Sequence, residues 1–289
     1  MKREDYDRHD RSACLSCVKG APVDFHNGDK MKSLATTWTR LQRRLIAAPS
    51  VYVFFDLDGT LAAIRKNPRS VRLSKVSIAL LERLAKLEKF HVSVISGRSI
   101  DDLKHLVPVK NIYLAGNHGF EIRGPNFSFI HEKTVIFTSA VKHFCKEASS
   151  LTKAFPGLRI ENKEITASIH LRVLRPKNRV LASKKLKEIA KRFKNLIAKE
   201  GKSVIDIMPA IDWNKGRACR FLMSSFGSGL PIYFGDDRTD EDAFASLEQG
   251  ITVLVSRVPI PSRANFYVRG IREVHSHMRR LLELYKSPT

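Results

Sequence analysis

Two short clusters of acidic residues each follow an apolar run of the chain. Asp56 and Asp58 come directly after the run Val-Tyr-Val-Phe-Phe, and Asp236 and Asp237 come after Pro-Ile-Tyr-Phe-Gly. A buried parallel strand reads as a continuous apolar run, and ligands of α/β sheets bind beyond the carboxyl ends of such strands. Carboxylates at two strand ends can share a hard cation and leave one carboxylate free as a nucleophile. This layout predicts a metal-assisted phosphoryl-transfer site.

The individual side chains fit distinct roles in that chemistry. Asp56 can attack phosphorus to form an aspartyl-phosphate, which splits hydrolysis into two easier steps. Asp58, on the same side, can protonate the leaving alkoxide and then deprotonate the attacking water. Asp236 can complete a Mg²⁺ shell with Asp56 and the backbone carbonyl of Asp58. Ser96 can donate a hydrogen bond to a phosphoryl oxygen, and Lys215 can neutralise its charge.

Each of these residues also has an ordinary structural explanation. Asp-Gly after a strand is a common turn, Ser96 before Gly97 is typical of a helix N-cap, and Lys215 alone would be a surface lysine. The ordered set favours a catalytic site, because Ser96 and Lys215 lie between two acidic clusters that both end strands. Asp240 is expected to orient Lys215.

The surrounding pattern predicts the elements that position these residues. Strands and helices alternate over residues 51–124 and again over 210–289, which is the signature of a doubly wound parallel sheet. Between these halves, residues 158–174 alternate as strands, 179–200 carry a helical apolar stripe, and 203–207 form a further strand. We therefore predict a Rossmann-like α/β core with an α+β insertion.

These patterns divide the chain into four segments. Residues 1–50 form an N-terminal extension that is expected to be partly disordered, and residues 125–209 form a cap between the core halves 51–124 and 210–289. An insertion at this point lies over the carboxyl ends of the strands. It can therefore exclude water from the site and select the substrate.

The chain is strongly basic, with 51 Lys and Arg residues against 29 Asp and Glu residues and a net charge of +22. This charge raises the hypothesis of a protein that binds nucleic acid or another polyanion. Half of the excess lies in residues 125–209, which hold 18 basic and 7 acidic residues. Many of these lysines fall on the polar face of the predicted helix 179–200, and no aromatic platform accompanies them. We therefore expect that nucleic acid is not the partner.

The sequence also indicates the compartment of the protein. No apolar run is long enough to cross a bilayer, and the first residues lack the apolar segment of a secretory signal. We expect a soluble, cytoplasmic protein with no membrane partner. Four cysteines are too few for a disulfide scaffold, which agrees with this expectation.

Cysteine and histidine are the other side chains that can bind a metal. Cys14 and Cys17 lack a second pair, so a disordered tail explains them better than a zinc site. His275 and His277 lie among arginines near the C-terminus and are interpreted as exposed helix residues. Two further cysteines lie in helical apolar patterns and are interpreted as reduced core thiols: Cys145 and Cys219.

The ordered acidic, Ser and Lys residues resemble the four motifs of the haloacid dehalogenase superfamily of phosphotransferases. Within it, the chain is similar to the trehalose-6-phosphate phosphatase family over about residues 51–285. The stretches that carry this likeness are Ser-Gly-Arg at 96–98, Gly-Asn-His-Gly at 116–119, Glu-Asn-Lys at 161–163, His-Leu-Arg at 170–172, Trp-Asn-Lys-Gly at 213–216 and Gly-Asp-Asp-Arg-Thr-Asp-Glu-Asp-Ala-Phe at 235–244. The last stretch is the most specific.

The resemblance implies a Mg²⁺-dependent phosphatase with a mobile cap of the C2 type, which hydrolyses trehalose 6-phosphate to trehalose and phosphate. It implies the roles given above for Asp56, Asp58, Ser96, Lys215 and Asp236. It also implies supporting roles for Asp237, Asp240 and Gly97. The residues that it implies for binding the phosphorylated disaccharide are Arg98, His118, Lys163, Arg172 and Asp206. A trehalose-6-phosphate synthase is the candidate protein partner that it implies.

The chain departs from the family pattern at two places in the cap. Leu171 stands where the family usually has Tyr, and Asp206-Ile207-Met208-Pro209 stands where it has Glu-x-Arg-Pro. A shorter carboxylate and a missing guanidinium can change which sugar is recognised. A phosphatase for sucrose 6-phosphate or a mannosyl phosphate therefore stays open as the alternative, with polyanion binding as a more distant one.

Overall fold

A computed structural model describes residues 31–65, 67–201 and 203–285. The predictions for Cys14, Cys17 and most of the N-terminal extension lie outside these ranges. The β-strands that it describes are β1 (Lys32–Ser33), β2 (Val51–Phe55), β3 (Phe90–Ile95), β4 (Tyr113–Gly116), β5 (Glu121–Gly124), β6 (Phe127–Ile130), β7 (Arg159–Asn162), β8 (Ala167–His170), β9 (Leu196–Gly201), β10 (Val204–Pro209), β11 (Leu230–Gly235), β12 (Ile251–Val255) and β13 (Phe266–Val268).

The α-helices of the described chain are α1 (Leu34–Ala47), α2 (Lys75–Leu84), α3 (Ile100–Leu106), α4 (Thr134–Ala148), α5 (Ser150–Ala154), α6 (Pro176–Ala190), α7 (Lys215–Phe226), α8 (Glu241–Ser246) and α9 (Ile271–Glu283). Short 3₁₀ helices cover Pro68–Ser70, Asn117–Gly119 and Arg238–Asp240. In the part of the chain that is described, no helix has the length and apolar character of a bilayer-spanning segment.

The larger sheet has nine strands in the order β1-β13-β12-β11-β2-β3-β4-β5-β6. In this order, the seven strands from β1 through β13 and β2 to β4 are all parallel. β5 and β6 extend the edge as an antiparallel hairpin. This arrangement confirms the predicted doubly wound α/β core. Since all of its central strands run the same way, their carboxyl ends lie along one edge.

The apolar runs of β2 and β11 are buried along their whole length, because helices cover both faces of the sheet. Successive residues of β2 point to opposite faces, so Val53 packs in the cluster formed with α1, α2, α3 and α9, whereas Phe54 packs with α7 and α8. This packing fixes the end of β2, where Asp56 follows.

The second sheet has four antiparallel strands in the order β7-β8-β10-β9 and packs against α4 and α6. The prediction of one helix over 179–200 was wrong in its last third, since α6 ends at Ala190 and residues 196–201 form β9. β9 pairs with β10 through six residue pairs, and Ile197, which the helical stripe would bury, is 38% exposed. The lysines Lys184, Lys185, Lys191 and Lys194 are exposed as predicted.

Two of the predicted segments contain a strand of the larger sheet: β1 lies in the extension 1–50, and β6 lies in the cap 125–209. β6 pairs with β5 at the edge of the larger sheet, and the second sheet begins with β7. On the N-terminal side, β1 pairs with β13, and α1 buries Leu34, Trp38 and Leu41 in the core. The described part of the extension is therefore a layer of the core.

The interpretation of His275 and His277 as exposed residues was wrong. Both are buried, because they lie on the face of α9 that packs on the sheet with Val274 and Met278. The Nε2 atom of His275 lies 2.8 Å from the hydroxyl of Ser77. Arg272 and Arg279 of the same helix are exposed, and these charged neighbours made the local composition resemble that of an exposed segment.

The buried ring of His277 gives a pH-dependent contribution to stability. Burial, and to a smaller extent the nearby charge of Arg280, lowers the pKa of His277 from 6.5 to about 4. Below pH 6.5 the unfolded chain therefore binds a proton that the folded chain does not, and the free energy of unfolding falls as the pH falls toward 4. Since one pKa unit corresponds to about 1.4 kcal/mol, we expect the native protein to lose about 2 kcal/mol more than His277→Phe between pH 7 and pH 5.

Urea unfolding at the two pH values measures this difference. His277→Phe keeps the ring contact with Trp38, whose centroid lies 5.0 Å from that of His277. His105→Phe, at an exposed position of α3, is the control and should leave the pH dependence unchanged. An identical pH dependence for the native protein and His277→Phe would contradict the prediction.

Candidate active site

A cleft lies between the carboxyl edge of the larger sheet and the cap. Its walls include twelve of the thirteen residues that the sequence singles out: Asp56, Asp58, Ser96, Gly97, Arg98, His118, Lys163, Arg172, Asp206, Lys215, Asp236 and Asp237. Asp240, the thirteenth, is fully buried behind Lys215. The residues meet because β2, β3 and β11 are adjacent and end at this edge.

Lys215 is a buried cation held between two carboxylates. It is the first residue of α7, after the N-cap Asn214, and its Nζ donates to Asp56 Oδ1 and Asp240 Oδ1, each at 2.7 Å. Burial alone would lower the pKa of Lys215, but Asp240 and Asp56 outweigh burial and raise it, so the ammonium stays charged. Burial raises the pKa of Asp56 well above its usual value, although Lys215 opposes this.

Asp240 organises the loop after β11. Its Oδ1 also accepts a hydrogen bond from the hydroxyl of Tyr233 at 2.7 Å. Its Oδ2 accepts the backbone N–H groups of Asp236 and Asp237, each at 2.9 Å. Four donors thus occupy the carboxylate of Asp240, which fixes both Lys215 and the loop that carries Asp236.

The carboxylates near the end of β2 fit a divalent cation. Oxygens of Asp56, Asp236 and Asp240 lie within 4.8 Å of one another, and an all-oxygen set is the kind that Mg²⁺ prefers. Because donors already surround Asp240, Asp56 and Asp236 are the carboxylates best placed to bind an ion. Gly59 has φ +107°, and a Cβ atom there would lie 2.3 Å from Asp236 Oδ2, so glycine keeps this space open.

The side chain of Asp58 faces Arg98 instead of this cluster. Arg98 Nε and Nη2 donate to the two oxygens of Asp58 at 2.7 and 2.8 Å, and Nη2 also donates to the carbonyl of Pro68 at 3.1 Å. The guanidinium, for which sugar binding was predicted, is therefore already engaged by a carboxylate. Bidentate pairs of this kind are strong and fix geometry.

The cap contributes a buried lysine to the floor of the cleft. Lys163 Nζ donates to the carbonyl of Gly97, in the core, at 2.6 Å and to Ser168 Oγ at 2.5 Å. The hydroxyl of Ser168 in turn donates to Asp206. This chain of contacts joins the cap sheet to the Ser-Gly-Arg turn after β3.

His118 closes the same network from the core side. Its Nε2 atom lies 3.5 Å from Asp206 Oδ2, and a Cβ atom on Gly97 would lie 2.7 Å from it, so only glycine fits beside the ring. Burial lowers the pKa of His118, which leaves the imidazole neutral at pH 7. Burial would raise the pKa of Asp206, but the contacts with His118, Lys163 and Ser168 outweigh burial and lower it.

Sequence reasoning assigned no role to Glu161 and Ser168, which line the cleft. Glu161 on β7, Ser168 on β8 and Asp206 on β10 are register partners and form one row across the cap sheet. Glu161 Oε2 accepts a hydrogen bond from His170 Nε2 at 2.7 Å. The signal in the sequence was the spacing of two residues between Glu161 in β7 and Lys163 just after it, since side chains two apart in extended backbone point to the same side.

Two further positions of the cap differ in exposure: Arg172, for which sugar binding is predicted, and Met208, which departs from the family pattern. Arg172 is half-buried at the cleft wall, where Nη1 lies 3.5 Å from the carbonyl of Arg65. Met208, which stands where the family usually has Arg, is 1% exposed and does not line the cleft. It pairs with Ile197 in the cap sheet, so it is a packing residue here.

Comparison with known proteins gives a consistent result. A family model described as trehalose-phosphatase matches residues 54–270. "Probable trehalose-phosphate phosphatase I" of Arabidopsis thaliana is 33% identical over 251 residues, which cover 81% of this chain and 68% of that protein. "Probable trehalose-phosphate phosphatase 4" of Oryza sativa subsp. japonica is 33% identical over 244 residues, which cover 81% of this chain and 66% of that protein. The chain thus spans about two thirds of the length of these plant relatives.

A solved structure shows the same fold. The C-terminal domain of the C. albicans trehalose-6-phosphate phosphatase matches with a TM-score of 0.76 and 21% identity, over 89% of this chain and 99% of that domain. At this level of identity the likeness concerns the fold alone.

Proposed function

The chain belongs to the trehalose-phosphatase family, and we propose that it hydrolyses trehalose 6-phosphate to trehalose and phosphate. The observation that carries the proposal is the position of Asp56, which faces the cleft with a charged Lys215 at 2.7 Å. A carboxylate at a strand end beside a fixed cation suits attack on a phosphoryl group.

The proposed reaction has two steps. An oxygen of Asp56 bonds to phosphorus while the bond from phosphorus to the sugar oxygen breaks, and Asp58 gives its proton to that oxygen. Asp58 then takes a proton from water, which attacks phosphorus and releases Asp56 and phosphate. Lys215 and Ser96 stabilise the charge on the phosphoryl oxygens, and Arg98 holds the Asp58 side chain in place.

The donor set supports a Mg²⁺ ion held by Asp56 and Asp236, with the backbone carbonyl of Asp58 as a further ligand. A bound Mg²⁺ neutralises charge on the phosphoryl group. Dialysis against a chelator is expected to abolish phosphate release, and added Mg²⁺ is expected to restore it, as a phosphate assay measures. Addition of K⁺ at equal ionic strength is the control. Full activity after exhaustive chelation would contradict the proposal.

We propose that three polar side chains of the cap select the sugar. Lys163, Ser168 and Asp206 offer a cation, a hydroxyl and a carboxylate on one buried surface, which suits the hydroxyl groups of a carbohydrate. A trehalose-6-phosphate synthase would supply this substrate and is the candidate partner, in a cytoplasmic setting.

Phosphate release from a panel of sugar phosphates tests the function. The panel contains trehalose 6-phosphate, sucrose 6-phosphate, a mannosyl phosphate and p-nitrophenyl phosphate. We expect the highest kcat/KM for trehalose 6-phosphate. A preference for sucrose 6-phosphate or the mannosyl phosphate would contradict the proposed substrate but not the proposed phosphatase reaction. No phosphate release from any compound of the panel would reject the proposed function.

Lys163→Ala separates selection by the cap from the chemistry of the core. Remote contacts hold a cap over a large substrate, while a small ester offers it little to contact. We expect kcat/KM for trehalose 6-phosphate to fall about 100-fold, and that for p-nitrophenyl phosphate to fall less than about fivefold. Lys184→Ala, on the exposed face of α6, is the matched control. Equal losses on both substrates with an intact fold would show that Lys163 does not select the sugar.

A further inference from the structure

A second cavity lies beside the catalytic cleft, along the same carboxyl edge of the larger sheet. It has a volume of about 740 Å³ and is formed where β12 and β13 end and α9 begins. It shares Ile64 and Asp236 with the catalytic cleft. Ligands of parallel sheets bind at this edge, yet the proposed reaction uses only the ends of β2, β3 and β11 there.

Three arginines line this cavity. Arg257 follows β12, Arg269 follows β13, and Arg272 lies in the first turn of α9. Among the residues that the structure describes, none accepts a hydrogen bond from these three guanidinium groups or forms an ion pair with them. The carboxylate of Glu273, also at this wall, accepts the backbone N–H of Arg269 at 2.8 Å.

The contrast with the catalytic cleft makes this arrangement informative. There, Arg98 and Lys215 each have carboxylate oxygens at 2.7 Å. Around the second cavity, three exposed guanidinium groups have no such partner, and they outnumber the two carboxylates of the lining, Asp236 and Glu273. The lining is therefore basic, which attracts anions. Guanidinium groups present forked donors that match the oxygens of phosphate.

We propose that this space, the arginine cavity, is a second binding site for a phosphate-class oxyanion. The ligand is either free inorganic phosphate or the phosphoryl group of a larger molecule, since both present the same oxygens. The binding itself does not depend on the proposed function. If that function holds, phosphate is also the product released in the adjoining cleft.

Equilibrium dialysis with inorganic phosphate tests the proposal on the full chain. Arg257→Gln/Arg272→Gln should bind one phosphate fewer than the native protein, or bind it at least tenfold more weakly. Arg40→Gln/Arg83→Gln removes the same charge from exposed positions of α1 and α2 and should bind as the native protein does. All four arginines are exposed, so the variants should fold, which their urea unfolding curves check.

The difference in phosphate binding between the native protein and Arg257→Gln/Arg272→Gln tests the proposed site. Equal binding by native protein and Arg257→Gln/Arg272→Gln, or an equal loss in the control variant, would overturn the proposal. A protein that releases no phosphate from any sugar phosphate would reject the proposed function but leave this difference intact. Glucose 6-phosphate as a second probe identifies the source: binding as tight as that of phosphate assigns the cavity to phosphate esters, and weaker binding assigns it to the free ion.

Discussion

Replacing Asp56 by Asn is expected to lower kcat for trehalose 6-phosphate by about 10⁴-fold or more, because an amide cannot form the phosphoenzyme. The substitution preserves the shape of a side chain that is only 5% exposed. Its amide oxygen can still accept the hydrogen bond that Lys215 Nζ donates at 2.7 Å. The loss therefore reports on the nucleophile and not on packing.

A phosphate assay with purified protein measures this effect. Asp242→Asn is the matched control, since Asp242 pairs with Lys199 at 2.7 Å and does not line the cleft. That variant should stay within about threefold of the native rate, because half-exposed ion pairs contribute little. Turnover by Asp56→Asn within tenfold of the native rate would refute the covalent scheme.

The core of the site could be predicted because it follows strand ends. An apolar run that ends in an acidic residue fixes both the strand and the place of the carboxylate, and parallel strands bring such places together. Asp56, Asp236 and Lys215 therefore meet as the sequence indicated. Even the contact of Lys215 with Asp240 was expected, since both flank the strand β11.

The partner of a long side chain could not be predicted in this way. Arg98 was assigned to the sugar, but its fork binds Asp58 because the end of β3 lies beside the end of β2. Which carboxylate or ligand a guanidinium reaches depends on distances of a few ångströms between elements. Sequence spacing does not contain this information.

The cap was harder to predict than the core for a physical reason. Its strands are short, and two of them, β7 and β9, are mostly exposed or half-buried, so apolar periodicity is a weak signal there. In the sequence, the apolar stripe of α6 continues to Ile197. Pairing with β10 determined the conformation of residues 196–201 instead. The polar row of Glu161, Ser168 and Asp206 likewise depends on register, which single strands do not reveal.

Lys215→Met is expected to destabilise the fold as well as abolish turnover. Removing one member of a buried ionic group leaves the others uncompensated, at a cost of about 3–5 kcal/mol. In this protein the stranded groups are Asp56 and Asp240, which are 5% and 0% exposed. The direction of the pKa shifts agrees, since both carboxylates raise the pKa of Lys215 against the effect of burial.

Urea unfolding at pH 7 measures this loss. Lys199→Met, which breaks the half-exposed pair with Asp242, is the matched control and should lose less than about 1 kcal/mol. Adding Asp240→Asn to Lys215→Met should recover part of the stability, because it neutralises one of the two stranded carboxylates. A loss for Lys215→Met no larger than that for Lys199→Met would mean that water or an ion compensates the buried carboxylates. In that case Lys215 would act in the chemistry alone, and the site would not depend on it for its shape.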